Sequence, residues 1–267
     1  MYKRAIKIIK IKKNRIQEVN DIILIETPIN IYVNSHPIVN IICLPKDIKE
    51  LAIGFLFSVG IINSIKDIKN IIINKLENNV FIELNQNSIQ NLNLNLINRV
   101  IDTTCGIPSE WRESIKKVLD LSNQTFDMQK QIKIKKEIIF SSIIKMQKHT
   151  ELFRETGGCH GAAIFDFNGK MLSIKEDIGR HNAIDKVIGD LLIKGYKFEN
   201  LLLTSTGRLT GDSVLKALRA KIPIFASLSA AIESGVRLAF AYGLTLIGFV
   251  RGSRMNIYTH PNRVDFS

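Results

Sequence analysis

The chain has 267 residues, of which 45% are hydrophobic and 23% are charged, so it can bury a sizeable core and is not an intrinsically disordered chain. Its longest uncharged apolar run, Leu238 to Val250, is shorter than the roughly 18–20 residues of a membrane-spanning helix. The net charge of +12 indicates an anionic partner, but no recognition motif accompanies it, so a nucleic-acid-binding protein is not favoured. The N-terminus is basic and has no apolar signal segment, which predicts a cytoplasmic protein.

The first half is predicted to be a mixed α+β region. Its apolar residues alternate with polar ones in the predicted strands and recur at helical spacing after residue 47. The predicted elements are strands over 29–33 and 38–44, a helix from about residue 47, a hairpin over 70–84 and a strand over 92–96. Periodicity stops after Val100, and residues 101–113 are predicted to form a loop that contains Cys105.

The second half is predicted to alternate strands with helices, which indicates an α/β layer around a buried sheet. A turn at Asn168–Gly169 joins two predicted strands, and Gly195 is placed to end the helix that follows. The predicted helices cover 137–148, a segment around 184–192, 212–220 and 230–242; the predicted strands cover 162–167, 170–174, 201–204, 224–226, 244–250 and 255–258.

A polar, lysine-rich stretch at about 122–150 marks the passage between the halves. We therefore predict an N-terminal region over residues 1–125 and a C-terminal α/β domain over residues 126–267.

Three cysteines, Cys43, Cys105 and Cys159, are too few and too scattered for a disulfide framework. Cys43 lies in an apolar strand and is predicted to be a core residue. Cys105 lies in a loop, where a thiol is either accessible for chemistry or a bystander. Cys159 and His160 stand between glycines and could bind a metal, but the chain contains no C-x-x-C, so zinc is weakly supported.

Glycines and arginines recur together in the second half. Arg180 and His181 lie in EDIGRHNAIDK (176–186), and Arg208 lies in TSTGRLTGD (204–212). Each segment follows a predicted strand and opens a helix, where backbone N–H groups can hold a phosphate. Neither segment is a P-loop, and the alternative for both is a capped polar loop. If the two loops meet at one edge of the sheet, they form an anion site.

The segment FVRGSR closes the last long predicted strand, with Arg251 and Arg254 on either side of Gly252 and Ser253. A planar guanidinium binds an oxyanion at two points. The segment is therefore either an oxyanion site or a surface turn with solvated charges.

Taken in order, these segments resemble the formate dehydrogenase accessory sulfurtransferase (FdhD) family. The matching stretches are ETPINIYVN (26–34), LAIGFLFSVGII (51–62), TTCG (103–106), TGGCHGAAIF (156–165), EDIGRHNAIDK (176–186), STGRLTGD (205–212) and GLTLIGFVRGSRMNIYT (243–259). The EDIGRHNA and GFVRG stretches are the most specific of these.

The resemblance implies a cytidine-deaminase-like three-layer α/β/α C-terminal domain with a smaller mixed α+β N-terminal region. It implies a sulfurtransferase that takes persulfide sulfur from a cysteine desulfurase. The sulfur goes to the molybdenum or tungsten bis-molybdopterin guanine dinucleotide cofactor, bound as a substrate, that formate dehydrogenase requires. The protein is expected to hold no tightly bound metal of its own, and the resemblance is compatible with a homodimer.

The resemblance also assigns roles to residues. It implies that Cys105 carries the persulfide and that the cofactor is bound by Phe249, Val250, Arg251, Gly252, Ser253 and Arg254. The two glycine–arginine segments at 176–186 and 204–212 predict that Arg180, His181 and Arg208 also belong to the cofactor site. Many family members have C-x-x-C at the cysteine loop, whereas this chain has Pro108 at the second position. Cys105 therefore cannot form a local disulfide, and Cys159 is its candidate partner if the fold brings the two together.

Two alternatives remain at this point. One is a binding protein that escorts the cofactor to formate dehydrogenase without sulfur chemistry, which needs the arginine sites but not Cys105. The other is a zinc deaminase, suggested by the implied fold. Its H-x-E and P-C-x-x-C signatures are missing from the sequence, so it is not favoured.

Overall fold

The computed structural model describes residues 2–85, 99–101, 113, 116 and 133–267. Within these residues the first half contains the helix α1, two further helical positions at 113 and 116, and seven strands. Their bounds are β1 (Lys3–Lys12), β2 (Arg15–Leu24), β3 (Thr27–Val33), β4 (His36–Cys43), α1 (Ile48–Ser58), β5 (Ile68–Asn74), β6 (Asn79–Leu84) and β7 (Arg99–Ile101).

The second half alternates strands and helices, as predicted. Its elements are β8 (Ile134–Lys135), α2 (Lys136–His149), α3 (Glu151–Thr156), β9 (His160–Asp166), β10 (Met171–Asp177), α4 (Arg180–Ile193), β11 (Leu201–Ser205), α5 (Gly211–Arg219), β12 (Ile224–Ser227), α6 (Glu233–Ala241), β13 (Thr245–Arg251), β14 (Arg254–Ile257) and β15 (Val264–Asp265).

A six-stranded mixed sheet organises the second half, in the order β10-β9-β11-β12-β13-β14. Strands β11, β12 and β13 are parallel to one another, whereas β9, β10 and β14 pair antiparallel with their neighbours. Alternate side chains face opposite sides, so Ala163 and Phe165 pack with α2 residues while Ala162 and Ile164 share a core with α4 and α5 residues. Helices therefore cover both faces, which confirms the predicted α/β architecture in three layers; the likeness to cytidine deaminases stays a prediction.

The first half contributes a five-stranded sheet in the order β5-β6-β3-β4-β7. Its buried residues belong to the same hydrophobic cluster as those of α1, α4 and α5. Helices α1 and α4 approach closely through two glycines: a Cβ on Gly54 would lie 1.8 Å from the Asp185 carbonyl oxygen, and one on Gly189 would lie 2.0 Å from that of Glu50. One core thus joins the two regions that the sequence divides at residue 125.

Buried charge strengthens the same junction. Asp177 and Lys186 form a fully buried ion pair at 2.6 Å, and this carboxylate also accepts from the Leu44 backbone N–H. The Asp185 carboxylate accepts from Lys216 at 2.6 and 2.7 Å and from the Ser58 hydroxyl at 2.7 Å. Three of the acidic and basic residues of the EDIGRHNAIDK motif therefore hold the two halves of the chain together.

Most predicted elements are confirmed, with differences where tertiary contacts intervene. The helix predicted over 230–242 begins only at Glu233, because residues 229–232 run beside the loop after β11, where Leu209 bridges Ala231. The loop predicted over 101–113 is wrong at its two described ends, because Ile101 belongs to β7 and Glu113 is helical. The rest of that loop, the strand predicted over 92–96 and the predicted boundary at 125 lie outside the described residues.

A long hairpin precedes these sheets and was not predicted from the sequence. Strands β1 and β2 pair over ten residues each through a turn at Lys13–Asn14, and we call residues 3–24 the N-terminal arm. Among the described residues, no helix has the length and apolar character needed to cross a membrane.

Candidate functional site: an anion-binding edge of the sheet

The carboxyl ends of β11, β12 and β13 meet at one edge of the six-stranded sheet because these strands are parallel. The start of β9 lies at the same edge, since the backbone N–H of Thr206 donates to the Gly161 carbonyl. Helices α4 and α5 both begin beside it, and α5 is capped by the Thr210 side chain. Helix N-termini carry partial positive charge, so this edge is electrostatically suited to an anion.

Arg180 is the first residue of α4 and lies against the loop after β11. A Cβ on Gly207 would lie 2.8 Å from the Arg180 Cβ, so this position requires glycine for the close approach. The Arg180 Nε is buried and finds no hydrogen-bond acceptor among the described residues. Burial lowers the pKa of Arg180, the neighbouring Arg208 guanidinium lowers it further, and the Asp212 carboxylate opposes both effects. Two neighbouring guanidinium groups, one of them with an Nε that has no acceptor among the described residues, are suited to bind a negatively charged group in addition to this carboxylate.

His160 completes this arrangement. Its Nδ1 lies 3.1 Å from the Thr206 hydroxyl, which also accepts from the Gly161 backbone N–H. Burial lowers the pKa of His160, and the guanidinium of Arg180 contributes in the same direction. The imidazole is therefore neutral at pH 7 and can gain a proton when an anion arrives. We call His160, Arg180, Thr206 and Arg208 the anion cluster.

The predicted site residue His181 follows Arg180 in α4 but is buried, with 7% of its surface exposed. Arg208 is exposed, as a residue that meets a ligand at the surface can be. The two predicted glycine–arginine loops are therefore brought together by the fold through Arg180 and Arg208, whereas the His181 side chain lies inside.

The FVRGSR segment lies at the same edge, at the end of β13. Phe249 has φ +51° and interrupts the pairing of β13 with β14, and Gly252 follows with φ +57°. The Arg251 Nε donates to the Leu228 carbonyl at 3.2 Å, which leaves the rest of its guanidinium exposed. The Val250 side chain is buried in the core on the α2 face, so this residue can offer a ligand only its backbone.

The remaining residues of this segment are exposed: Gly252 and Ser253 form the turn, and Arg254 is the first residue of β14.

The backbone between Leu228 and Ile232 connects the FVRGSR turn to the loop that follows β11. The Phe249 N–H donates to the Ser229 carbonyl, and the Ile232 N–H donates to the Leu209 carbonyl. Through this segment the FVRGSR turn and the loop that carries Arg208 are fixed relative to each other.

The two described cysteines are poor nucleophiles. Burial raises the pKa of Cys43 to about 12. Burial also raises the pKa of Cys159 to about 12, and the Glu176 carboxylate, 3.8 Å away, adds to the effect. Cys105, the predicted persulfide carrier, lies outside the described residues. The structure thus argues against Cys159 as a readily reacting partner of Cys105, because a thiol must ionise to attack.

The side chains of the two predicted zinc ligands, Cys159 and His160, have different surroundings. The Cys159 side chain packs with Leu44 and Leu152, whereas His160 contacts Thr206. Within the described part of the chain, no three His, Cys, Asp or Glu side chains are grouped as metal ligands would be.

Sequence reasoning overlooked Thr206, which orients His160, and Gly207, which admits Arg180. The signal was present in the segment STGRLTGD: a small polar residue and a glycine between a strand and an arginine. Their roles depend on His160, 46 positions before Thr206, and on Arg180, 27 positions before Gly207, so only the fold identifies them.

Comparison with known proteins agrees with the arrangement of these motifs. A family model described as the FdhD/NarQ family matches residues 24–265. The sulfur carrier protein FdhD of Saccharolobus solfataricus is 34% identical, with 96% of each chain covered. That of Bacillus subtilis is 33% identical, with 95% of this chain and 94% of the relative covered.

A solved structure shows the same fold. The crystal structure of a putative formate dehydrogenase accessory protein from Desulfotalea psychrophila superposes with a TM-score of 0.79 at 28% identity. The match covers 99% of this chain and 100% of that one. Together with the full-length relatives and the two glycine–arginine loops at one sheet edge, these findings establish that the chain belongs to the FdhD/NarQ family.

Proposed function

We propose that this protein is a cytoplasmic sulfur carrier that takes persulfide sulfur from a cysteine desulfurase and delivers it to the bis-molybdopterin guanine dinucleotide cofactor of a formate dehydrogenase. The names of its relatives support sulfur transfer, and the name of the structural neighbour supports the link to formate dehydrogenase. The observation that carries the cofactor-binding part is the proximity of Arg180, at the start of α4, to Arg208, in the loop before α5.

The cofactor is the substrate and carries phosphates in its guanine-nucleotide arms. Arg180 and Arg208 offer charge-assisted hydrogen bonds to one such phosphate, and the Arg180 Nε, which has no acceptor among the described residues, supports this role. Arg251 and Arg254 offer a second contact, on the other side of the 228–232 segment. His160, whose pKa is lowered by burial and by the two guanidinium groups, supplies a proton-accepting group beside them.

Cys105 is the proposed sulfur-carrying residue because it lies in the TTCG stretch that resembles the family's persulfide loop. The burial and raised pKa values of the other two cysteines support this choice. In the first step, its thiolate attacks the terminal sulfur of the desulfurase persulfide. The donor S–S bond breaks, the donor cysteine leaves as a thiolate, and a persulfide forms on Cys105. In the second step, a reduced metal centre of the substrate takes the terminal sulfur and supplies the two electrons that make it sulfide. The Cys105 thiolate is then released.

The test is to incubate the protein with a cysteine desulfurase and free cysteine, alkylate it, and locate added sulfur by mass spectrometry. We expect one additional sulfur on Cys105 of the wild type and none on a Cys105→Ser variant. Both proteins should bind pyrophosphate equally, because the anion cluster does not include Cys105.

The escort alternative retains the arginine sites but predicts that Cys105 is dispensable. Formate dehydrogenase activity in cells that carry only the Cys105→Ser variant distinguishes the two. Retained activity would favour the escort, and lost activity with normal pyrophosphate binding would favour sulfur transfer.

A further inference from the structure

The N-terminal arm projects from the protein as a two-stranded hairpin. At about 3.4 Å per residue, its ten-residue strands are about 34 Å long. Residues 9–18 are exposed without a break, and within the described residues neither strand pairs with a third. An isolated hairpin of this kind is only marginally stable in water, which indicates that its tip has a binding partner.

The two faces of the arm tip differ in chemistry. Because Ile11 pairs with Ile16, these two side chains and that of Ile9 lie on one face. They are 70%, 72% and 62% exposed, respectively. The opposite face of the tip carries Lys10, Lys12 and Arg15. A contiguous group of exposed isoleucines backed by cations is unusual for a solvent-facing surface and typical of an interaction site.

The root of the arm lies beside the anion cluster. Tyr2 and Leu24 pack against the small hydrophobic group formed by Leu44, Leu152 and Cys159. Cys159 directly precedes His160. Ile178, two residues before Arg180, packs against the same group. A protein held by the arm is therefore brought next to the proposed cofactor site.

We infer that the tip of the arm is the docking site for the protein that receives the cofactor, an apo-formate dehydrogenase presenting an acidic, partly apolar surface. This inference rests on the proposed function, and it adds the surface on which the protein that receives the cofactor docks. Residues 3–24 contain seven lysines and arginines but only two acidic residues, so the arm is complementary to a negatively charged partner. The open strand edges can in addition pair with a strand of that partner.

Two other occupants fit less well. A second copy of this chain would bring another net charge of +12 to a basic arm, which opposes association. A lipid bilayer would leave the unpaired backbone groups of both strand edges without hydrogen-bond partners. An acidic protein surface satisfies the charge, the isoleucines and the strand edges together.

The experiment compares the full-length protein with two matched triple variants. The tip variant replaces Ile9, Ile11 and Ile16 with serine. The control variant replaces three exposed apolar residues outside the arm with serine; these are Ile72, Leu76 and Ile144, which are 57%, 97% and 43% exposed. Affinity for immobilised apo-formate dehydrogenase is measured by biolayer interferometry at low and high salt, after circular dichroism has shown equal folding.

We expect the tip variant to bind apo-formate dehydrogenase at least about tenfold more weakly, and the control variant to stay within about twofold of the wild type. A second variant, Lys10→Glu with Lys12→Glu, should slow association and reduce the salt dependence without removing any apolar contact. Unchanged dehydrogenase affinity in both arm variants would overturn the inference. So would a change confined to desulfurase binding, to anionic phosphatidylserine vesicles or to the oligomeric state.

Pyrophosphate binding and persulfide loading of Cys105 are measured on the same proteins. Both should be unchanged in the arm variants, because the substituted residues lie at the tip rather than the root. Absence of both activities in the wild type would refute the proposed function, whereas tip-insensitive docking with both activities intact refutes only the inference about the arm.

Discussion

The buried pair of Asp185 and Lys216 offers a sharp test of how the two halves are joined. Both side chains are 2% exposed, and the carboxylate is held by two hydrogen bonds from the ammonium and one from Ser58. Replacing Lys216 with methionine keeps the length of the side chain but leaves a buried carboxylate with one donor. We expect a loss of about 3–5 kcal/mol in the free energy of unfolding at pH 8, since an uncompensated buried charge is costly.

Removing both charges should cost far less than removing one. The double variant Asp185→Leu with Lys216→Met leaves only the Ser58 hydroxyl without its acceptor, for a loss of about 1–2 kcal/mol. Urea unfolding measures the difference. With an m value of about 3 kcal/mol/M, the Lys216→Met midpoint should fall by about 1–1.7 M and that of the double variant by less than about 0.7 M.

The pH dependence has a defined sign. Burial raises the pKa of Asp185 above its unfolded value, and the Lys216 ammonium opposes this rise. Without the ammonium the folded-state pKa of Asp185 rises further. Folding of Lys216→Met then takes up a proton, so the stability lost in this variant is partly regained as the pH is lowered from 8. A double variant as unstable as Lys216→Met at pH 8 would refute the reasoning, because the cost would then come from packing rather than from the unpaired charge.

Four further outcomes are expected. Gly207→Val should weaken pyrophosphate binding, measured by calorimetry, because its side chain would displace Arg180, whereas Gly195→Ala, at a helix end with open space around it, should leave binding unchanged. Sulfate affinity should rise as the pH falls from about 7 to about 5.5, because an anion raises the lowered pKa of His160, and His160→Gln should abolish this dependence. Gly189→Ala should destabilise the fold by more than about 3 kcal/mol in urea unfolding, since its Cβ would meet the Glu50 carbonyl. Iodoacetamide should leave Cys43 and Cys159 unmodified in the folded protein and label both in urea, as mass spectrometry would show; labelling of Cys159 without denaturant would contradict its burial.

Much of the architecture could be predicted from local patterns. Helices α1, α2, α4 and α5 and the β9–β10 hairpin repeat their apolar residues at the spacing that burial of one face requires, so the sequence itself carries the signal. The N-terminal arm was missed for the same reason: with no fully buried residue in either strand, it lacks a clear period. Its strands form through β-branched isoleucines and mutual pairing rather than through a core.

The sequence by itself determined which residue types are available: glycine-flanked arginines, a cysteine in a loop and the motifs that mark the family. Tertiary structure decided which of them act together. The parallel order of β11, β12 and β13 places loops that are distant in the chain at one edge, where Arg180 meets Arg208 and His160. It also buries Cys159 and turns Asp177, Asp185 and Lys186 into structural ion pairs. Burial and proximity arise from the packing of remote segments, and local sequence patterns do not encode them.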